Sequence, residues 1–376
     1  MTTRPRPARL LLCQGLAGAL GQKLGPMDLP ANDAEWQSVL RLSSRHLVTP
    51  LLRRAFQEHG LVSGLPAGVL EFLEAVYTLN LDCNLRYQDQ LAHLIQILNN
   101  IGVRPVLLKG AAALVSGLHP TLGERMIGDI DVLVPLSSLS PVLEQLTAVG
   151  YQARPLEEGN SLGTEGFQAG GHNYAPLESA DWPVAVELHV HPVHLSVARL
   201  LGSEEVVRDA TPLNWRGGDC LLPSSTHFVM HNVIHAFVVD MRDCGFLSLR
   251  QLFEFVRANR TYGERIDWAV IQQRFVSLGY GSALRGYAVL ASVYLGFQVP
   301  PELTISGGAR LRLRFYRTEL EHPAKYFLFS LDRFLRVLGG LVRIRARHLV
   351  SNPRSMKKLF KVRYYMRLYQ DALDGH

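Results

Sequence analysis

The stretch Val106–Val134, VLLKGAAALVSGLHPTLGERMIGDIDVLV, constrains this chain more than any other. An apolar run ends at Lys109-Gly110, a short segment of small helix-forming residues follows, and a second apolar run carries Asp129 and Asp131. Side chains alternate across a strand, so Asp129 and Asp131 share one face while Ile130, Val132 and Val134 point into a core. Two carboxylates on one exposed face repel each other unless a cation lies between them. Mg²⁺ takes oxygen ligands of this kind, one or two carboxylates plus substrate phosphates, and Mn²⁺ has similar preferences. The pair beside a Lys-Gly turn therefore points to metal-dependent phosphoryl or nucleotidyl transfer. The same repulsion predicts that Asp131→Ala leaves the metal-free fold intact or slightly more stable.

Two-metal chemistry of this type usually needs a third acidic ligand. Val184–His191 alternates with period two: Val184, Val186, Leu188 and Val190 make an apolar face, and Ala185, Glu187, His189 and His191 make the other. Glu187 is the acid of that strand. Lying beside the Asp129/Asp131 strand, it would complete a three-carboxylate cluster; otherwise this is a half-exposed strand with ordinary polar residues outside. The Asp-x-Asp upstream favours the cluster. His189 shares Glu187's face, placed to orient a ligand carboxylate or to meet substrate, and His172 has a similar strand context. His191 and His194 read as structural. Lys109 reads either as a solvent-facing strand end or as a point charge on a triphosphate. Arg125, four residues before Asp129, would contact phosphate or orient Asp129.

These residues form a recognisable series: L-K-G-A-A, then G-x-R-x-x-G-D-I-D-V-L-V, then H-N-Y, then V-E-L-H. The series resembles the uncharacterised nucleotidyltransferase family related to DNA polymerase β-type nucleotidyltransferases. It is tight from Val103 to Pro192. It is looser in EWQSVLRLSSRHLVTPLLRRA before it, and in THFVMHNVIHAF, LRQLFEF and HLVSNPRSMKKLF after it. The resemblance implies Gly110 at the phosphate turn, Asp129 and Asp131 as the metal pair and Glu187 as the third acid. Lys109 and Arg125 match its basic positions. Many members of the superfamily follow the turn glycine with Gly or Ser; here Ala111 offers a backbone N–H but no hydroxyl. The nucleotide-contacting set is thus Lys109, Gly110, Ala111, Arg125 and His189.

A chain of 376 residues exceeds the size at which single cores stop growing. The expected class is α+β: a small mixed-sheet core over residues 103–195, a helical module over 1–102 and a helical region with a basic tail over 196–376. Residues 34–58, 67–101, 111–116 and 137–148 read as helices, with Asn32-Asp33 as an N-terminal cap. Val103–Lys109 and His172–Leu177 read as strands, and everything after Pro192 as helical. Arg4, Arg6 and Arg9 before LLLCQGLAGALG superficially resemble a signal peptide. Gln14 interrupts that short run and no A-x-A site follows, so a first amphipathic helix is expected. No run reaches the roughly 20 apolar residues of a membrane span. Cys13, Cys83, Cys220 and Cys244 form no CxxC pair and read as reduced thiols of a cytoplasmic protein.

From Arg310 to His376 there are 16 Lys/Arg against 5 Asp/Glu, a net of +11 in a chain whose total is +6. Arg343, Arg345, Arg347, Lys357, Lys358, Lys361 and Arg363 crowd there, with Phe360, Tyr364 and Tyr365 between them. Such a tail either attracts a polyanion or is a solvated helix face. His227, His231 and His235 recur every four residues and read as one face that lines a cleft or packs partly buried, without the acid of an H-E-x-x-H zinc site. Arg250 and Glu254, four apart, read as a helical ion pair, with Arg250 also able to reach nucleotide. The leading expectation is transfer of a nucleoside monophosphate from an NTP, with Mg²⁺ or Mn²⁺, to an acceptor that is a small molecule, an RNA end or a peptide. The competing one is a non-catalytic nucleotide- or partner-binding module on the same fold.

Overall fold

The strands are β1 (Val106–Leu107), β2 (Asp129–Leu133), β3 (Gln152–Ala153), β4 (Leu177–Glu178), β5 (Ala185–His189), β6 (Thr211–Trp215) and β7 (Gly218–Leu222). They form one sheet in the order β3-β4-β5-β2-β1-β7-β6 in a computed structural model that describes residues 8–22, 28–155, 166–168, 171–240 and 247–303. The sheet is mixed: β2 runs parallel to β5, β1 parallel to β7, and the other neighbours are antiparallel. The helices among the described residues are α1 (Ala8–Ala19), α2 (Asp33–Arg45), α3 (Thr49–Glu58), α4 (Ala67–Asn100), α5 (Lys109–Val115), α6 (Leu139–Ala148), α7 (Ser203–Arg208), α8 (Ser225–Val233), α9 (Leu249–Tyr262), α10 (Trp268–Ser277) and α11 (Gly281–Leu295). The class is α+β. No helix among the described residues is long and apolar enough to cross a membrane.

The period-two pattern around the Asp-x-Asp and Val-Glu-Leu-His runs becomes the centre of this sheet. Ile130, Val132, Val186 and Leu188 are each fully buried, as the apolar face requires. Asn32 caps α2 by accepting from the Glu35 N–H, and the Glu35 carboxylate accepts from Ala31 N–H at 3.0 Å, which satisfies two N-terminal donors reciprocally. The expected single helix over 34–58 is two, α2 and α3. The break falls at Leu47, a non-glycine residue with φ of 55°.

α4 spans 34 residues, about 50 Å of helix, and packs Leu73, Leu91, Leu94, Ile95 and Leu98 into the core. One polar row of this helix faces inward. Asn80 donates to the carbonyls of Gly123 and Arg125, Asn84 to those of Leu122 and Arg125, and Gln88 to that of Leu114. The row spaces its amides four residues apart, so they stack along one face. It supplies donors to carbonyls at the end of α5 and in the turn before β2.

Other expectations about the backbone need correction; the strand expected over His172–Leu177 starts only at Leu177, with isolated bridges at Asn173 and Tyr174 before it. Residues after Pro192 are not all helical: β6 and β7 form a hairpin that extends the sheet beside β1. Arg216 and Gly217 form its two-residue turn, with φ of 48° and 80°, the double left-handed geometry that matches strand twist. The strand expected over Val103–Lys109 is only two residues long, because Lys109 is the first residue of α5. The basic tail, from residue 304 onward, and Cys244 lie outside the described residues.

Candidate active site

Two parallel strands in register bring the acids together. Asp131 of β2 is paired with Glu187 of β5, and Asp129 with Ala185, so Asp129, Asp131, Glu187 and His189 belong to one face of the sheet. Single ligand atoms of Asp131, Glu187 and His189 all lie within 4.8 Å of one another. Asp129 is outside that tight group, half-buried at the start of β2.

Asp131 is not on an exposed face: it is fully buried. Its Oδ1 accepts from Lys109 Nζ at 2.7 Å and from His189 Nε2 at 2.8 Å. Its Oδ2 is buried with no hydrogen-bond partner. Burial alone would push the Asp131 carboxyl up, but the Lys109 ammonium and the His189 hydrogen bond outweigh it and hold the group well below the usual carboxylate range. An ionised Asp131 is acceptor-only, so His189 donates through Nε2–H. Burial and Lys109 hold the His189 imidazole neutral. The cation that the paired carboxylates demand is thus supplied by the chain itself. The Asp131→Ala expectation thus has a second side: removal also takes the counter-ion from the half-buried Lys109 ammonium.

Lys109 reaches Asp131 because of its backbone. The Leu108 N–H donates to the Asp131 carbonyl at 3.0 Å, tying the end of β1 to β2 at that residue. Lys109 then takes φ of 41°, left-handed and costly for a side chain with a Cβ. Gly110 does not need positive φ. Its lack of a side chain serves close approach, since a Cβ there would lie 3.1 Å from Arg125 Nη1 and 3.1 Å from Ile127 Cγ2. Ala111 is buried in α5.

Glu187 titrates differently from Asp131. Burial and the neighbouring Asp131 charge push its carboxyl up to about 7, and Asp129 adds to this. Asn173 donates to Glu187 Oε2 at 2.9 Å. Asn173 is 1% exposed and is held against β5 by a bridge to His189. In the His-Asn-Tyr run the residue that touches the acids is therefore Asn173. His172 lies between the rings of His189 and His194 in tilted contacts, and burial pulls its imidazole down to about 3. Asp129 is pushed up by burial and by Asp131.

Arg125 pairs with neither Asp129 nor Asp131. Its Nε lies 2.8 Å from Glu254 Oε1 of α9, with both side chains buried. The i,i+4 pair between Arg250 and Glu254 does not form; Arg250 Nη1 donates instead to the Met126 carbonyl at 2.9 Å. Glu124, one residue before Arg125, is 2% exposed and meets Arg54 at 2.7 Å and Arg257 at 3.3 Å. The turn before β2 is thus clamped by charges from α3 and α9 and by the α4 amides. The three helical histidines go separate ways: His231 to the Pro192 carbonyl, His235 to Asp240, and His227 towards Glu205 and Asp209. No shared metal site forms among them.

The chain matches the family described as uncharacterised nucleotidyltransferase over residues 32–296, and it belongs to that family. Among curated proteins none matches it. Of solved structures, it is similar to the crystal structure of an antigenic nucleotidyltransferase-like protein from Paracoccidioides brasiliensis, at 13% identity and a TM-score of 0.34, over 56% of this chain and 92% of that one.

Proposed function

We propose that this protein transfers a nucleoside monophosphate from an NTP to an acceptor hydroxyl or phosphate, using Asp129, Asp131 and Glu187 with Mg²⁺ or Mn²⁺. The observation that carries the reading is the register of β2 and β5, which sets Asp131 opposite Glu187 with His189 within reach of both. The donor set fits a hard divalent ion: two carboxylates converge, Asp129 adds a third on the same face, and Asp131 Oδ2 is a buried acceptor with no other use. A bound divalent pair would activate the acceptor oxygen and neutralise the leaving pyrophosphate.

The chain's own residues have distinct parts in this reading. His189 is fully buried and orients Asp131 through its hydrogen bond. Asn173 does the same for Glu187. Glu187, the third acid of the set, would hold or help deprotonate the acceptor hydroxyl. Lys109 exchanges Asp131 for a phosphate oxygen when nucleotide arrives, a role suited to a mobile point charge. The first N–H groups of α5, at Gly110 and Ala111, lack intrahelical acceptors and face the same phosphates. A polyanionic acceptor would use the basic tail beyond Arg310.

Thermal unfolding with each of the four NTPs, with and without Mg²⁺, tests the reading. The wild type should be stabilised only when metal and nucleotide are both present, and Asp131→Asn should lose the effect. Equal stabilisation of both proteins, or stabilisation by nucleotide in EDTA, would favour a binding module without metal chemistry.

A further inference from the structure

Arg250 is the second residue of α9, and its guanidinium reaches the segment leading into β2. Nη1 is held by the Met126 carbonyl at 2.9 Å, while Nε is buried with no hydrogen-bond partner. Glu254, the acid that helical spacing offers it, is taken by Arg125. No other carboxylate among the described residues comes to ion-pair distance of Arg250. Burial, and then repulsion from Arg125, lowers its basicity, while the charges of Glu254, Asp129 and Asp131 partly offset this. A guanidinium stays charged all the same. The molecule therefore carries a half-buried guanidinium near Asp129 that makes no ion pair of its own and keeps a buried Nε–H without an acceptor, and a buried donor left unpaired is costly.

We infer that Arg250 is a polyphosphate-binding residue, contacting the phosphates of the metal-bound triphosphate from the helical layer, opposite the acids of the sheet. The inference rests on the nucleotidyl-transfer reading of the site. Three observations support it. The donor is of the right kind, since the planar fork of an arginine matches phosphate oxygens in a bidentate way. Its position is fixed, because the Met126 bond and the adjacent Arg125–Glu254 pair hold α9 in register with the segment that ends at Asp129. Its field is available, because metal ions on Asp129 and Asp131 would remove the negative charges that now stabilise it. An anion carried in with those metals restores the balance.

Isothermal titration of the full chain with inorganic tripolyphosphate in Mg²⁺ isolates this contact from base and acceptor preference. Arg250→Gln should weaken tripolyphosphate binding roughly 10- to 100-fold, the loss of one or two charge-assisted hydrogen bonds. Arg250→Lys, which keeps the charge but not the fork, should fall between. The unfolding midpoint of the ligand-free variants should stay within a few degrees of wild type, and nucleosides without phosphates should bind all three proteins alike. Tripolyphosphate binding unchanged in Arg250→Gln would overturn the inference alone. So would a loss in both variants that tracks a large fall in midpoint, which marks a purely structural residue. A wild type that binds neither tripolyphosphate nor any NTP in Mg²⁺ would overturn the nucleotidyl-transfer reading, and this inference with it.

Discussion

The ammonium of Lys109 lies 2.7 Å from Oδ1 of Asp131, in a position where a divalent ion would otherwise neutralise the same carboxylate. The lysine is drawn there by a left-handed backbone angle, and Asp131 has no solvent to turn to. Metal-free, the site is held together by its own salt bridge.

Lys109→Met should therefore have two opposite effects. The metal-free protein leaves the fully buried Asp131 carboxylate without its half-buried counter-ion, at a cost of up to about 3–5 kcal/mol. Mn²⁺ then meets no competing cation, so its affinity without nucleotide should rise. Thermal unfolding with and without Mn²⁺ checks both: a lower midpoint in EDTA, and a larger Mn²⁺-induced recovery than in wild type. An unchanged midpoint in EDTA would show that the pair contributes nothing.

Asp131→Asn should destabilise the metal-free protein by a few kcal/mol at most, since it leaves the half-buried Lys109 ammonium without its counter-ion. Urea unfolding in EDTA measures this directly. A variant as stable as wild type would return Asp131 to the simple picture of repelling carboxylates.

Glu187 carries a pH signature. Its folded carboxyl titrates at about 7 against an ordinary 4.5, so the folded state binds the proton more tightly. The stability linked to it is fully present below about pH 4.5 and is lost as pH rises through about 7, to a total of roughly 3 kcal/mol at most. Glu187→Gln removes that dependence. In EDTA its midpoint should gain on wild type between pH 5 and pH 8. A difference between the two proteins that stays constant with pH would contradict the shifted titration.

Asn84 donates to two carbonyls of the loop before β2, at Leu122 and Arg125. Asn84→Ala should leave both without those bonds, at a cost of about 1–3 kcal/mol. Because that loop positions Asp129, NTP-dependent stabilisation should fall as well. Loss of stability with full NTP response would separate the loop from the site.

The residues of the site were legible where short-range periodicity governs them. Alternation alone set Asp129 with Asp131 and Glu187 with His189, because a strand has only two faces, and the family resemblance paired the two strands. What stayed hidden were partners distant in sequence. Arg250 and Glu254 have the spacing of a helical ion pair, yet a buried Arg125 more than a hundred residues away takes Glu254, and Arg250 turns to the Met126 carbonyl. The Asn80, Asn84 and Gln88 row carried a signal, polar amides every four residues along one helix face, but most of its targets lie in the turn before β2, which has no periodic pattern of its own. The β6–β7 hairpin also left a trace in Arg216-Gly217-Gly218, a turn signal whose flanking strands are too polar and too short to announce themselves.

Release of pyrophosphate from the four NTPs in Mg²⁺, screened with small-molecule, RNA and peptide acceptors, tests the central claim most directly. Wild type should release pyrophosphate with at least one NTP and acceptor, with label from the α-phosphate appearing on the acceptor. Asp131→Asn and Glu187→Gln should each reduce this by a hundredfold or more, of the order seen when charge-stabilising groups are removed from a reacting centre. Turnover that persists in either variant, or in EDTA, would contradict metal-dependent transfer at these carboxylates.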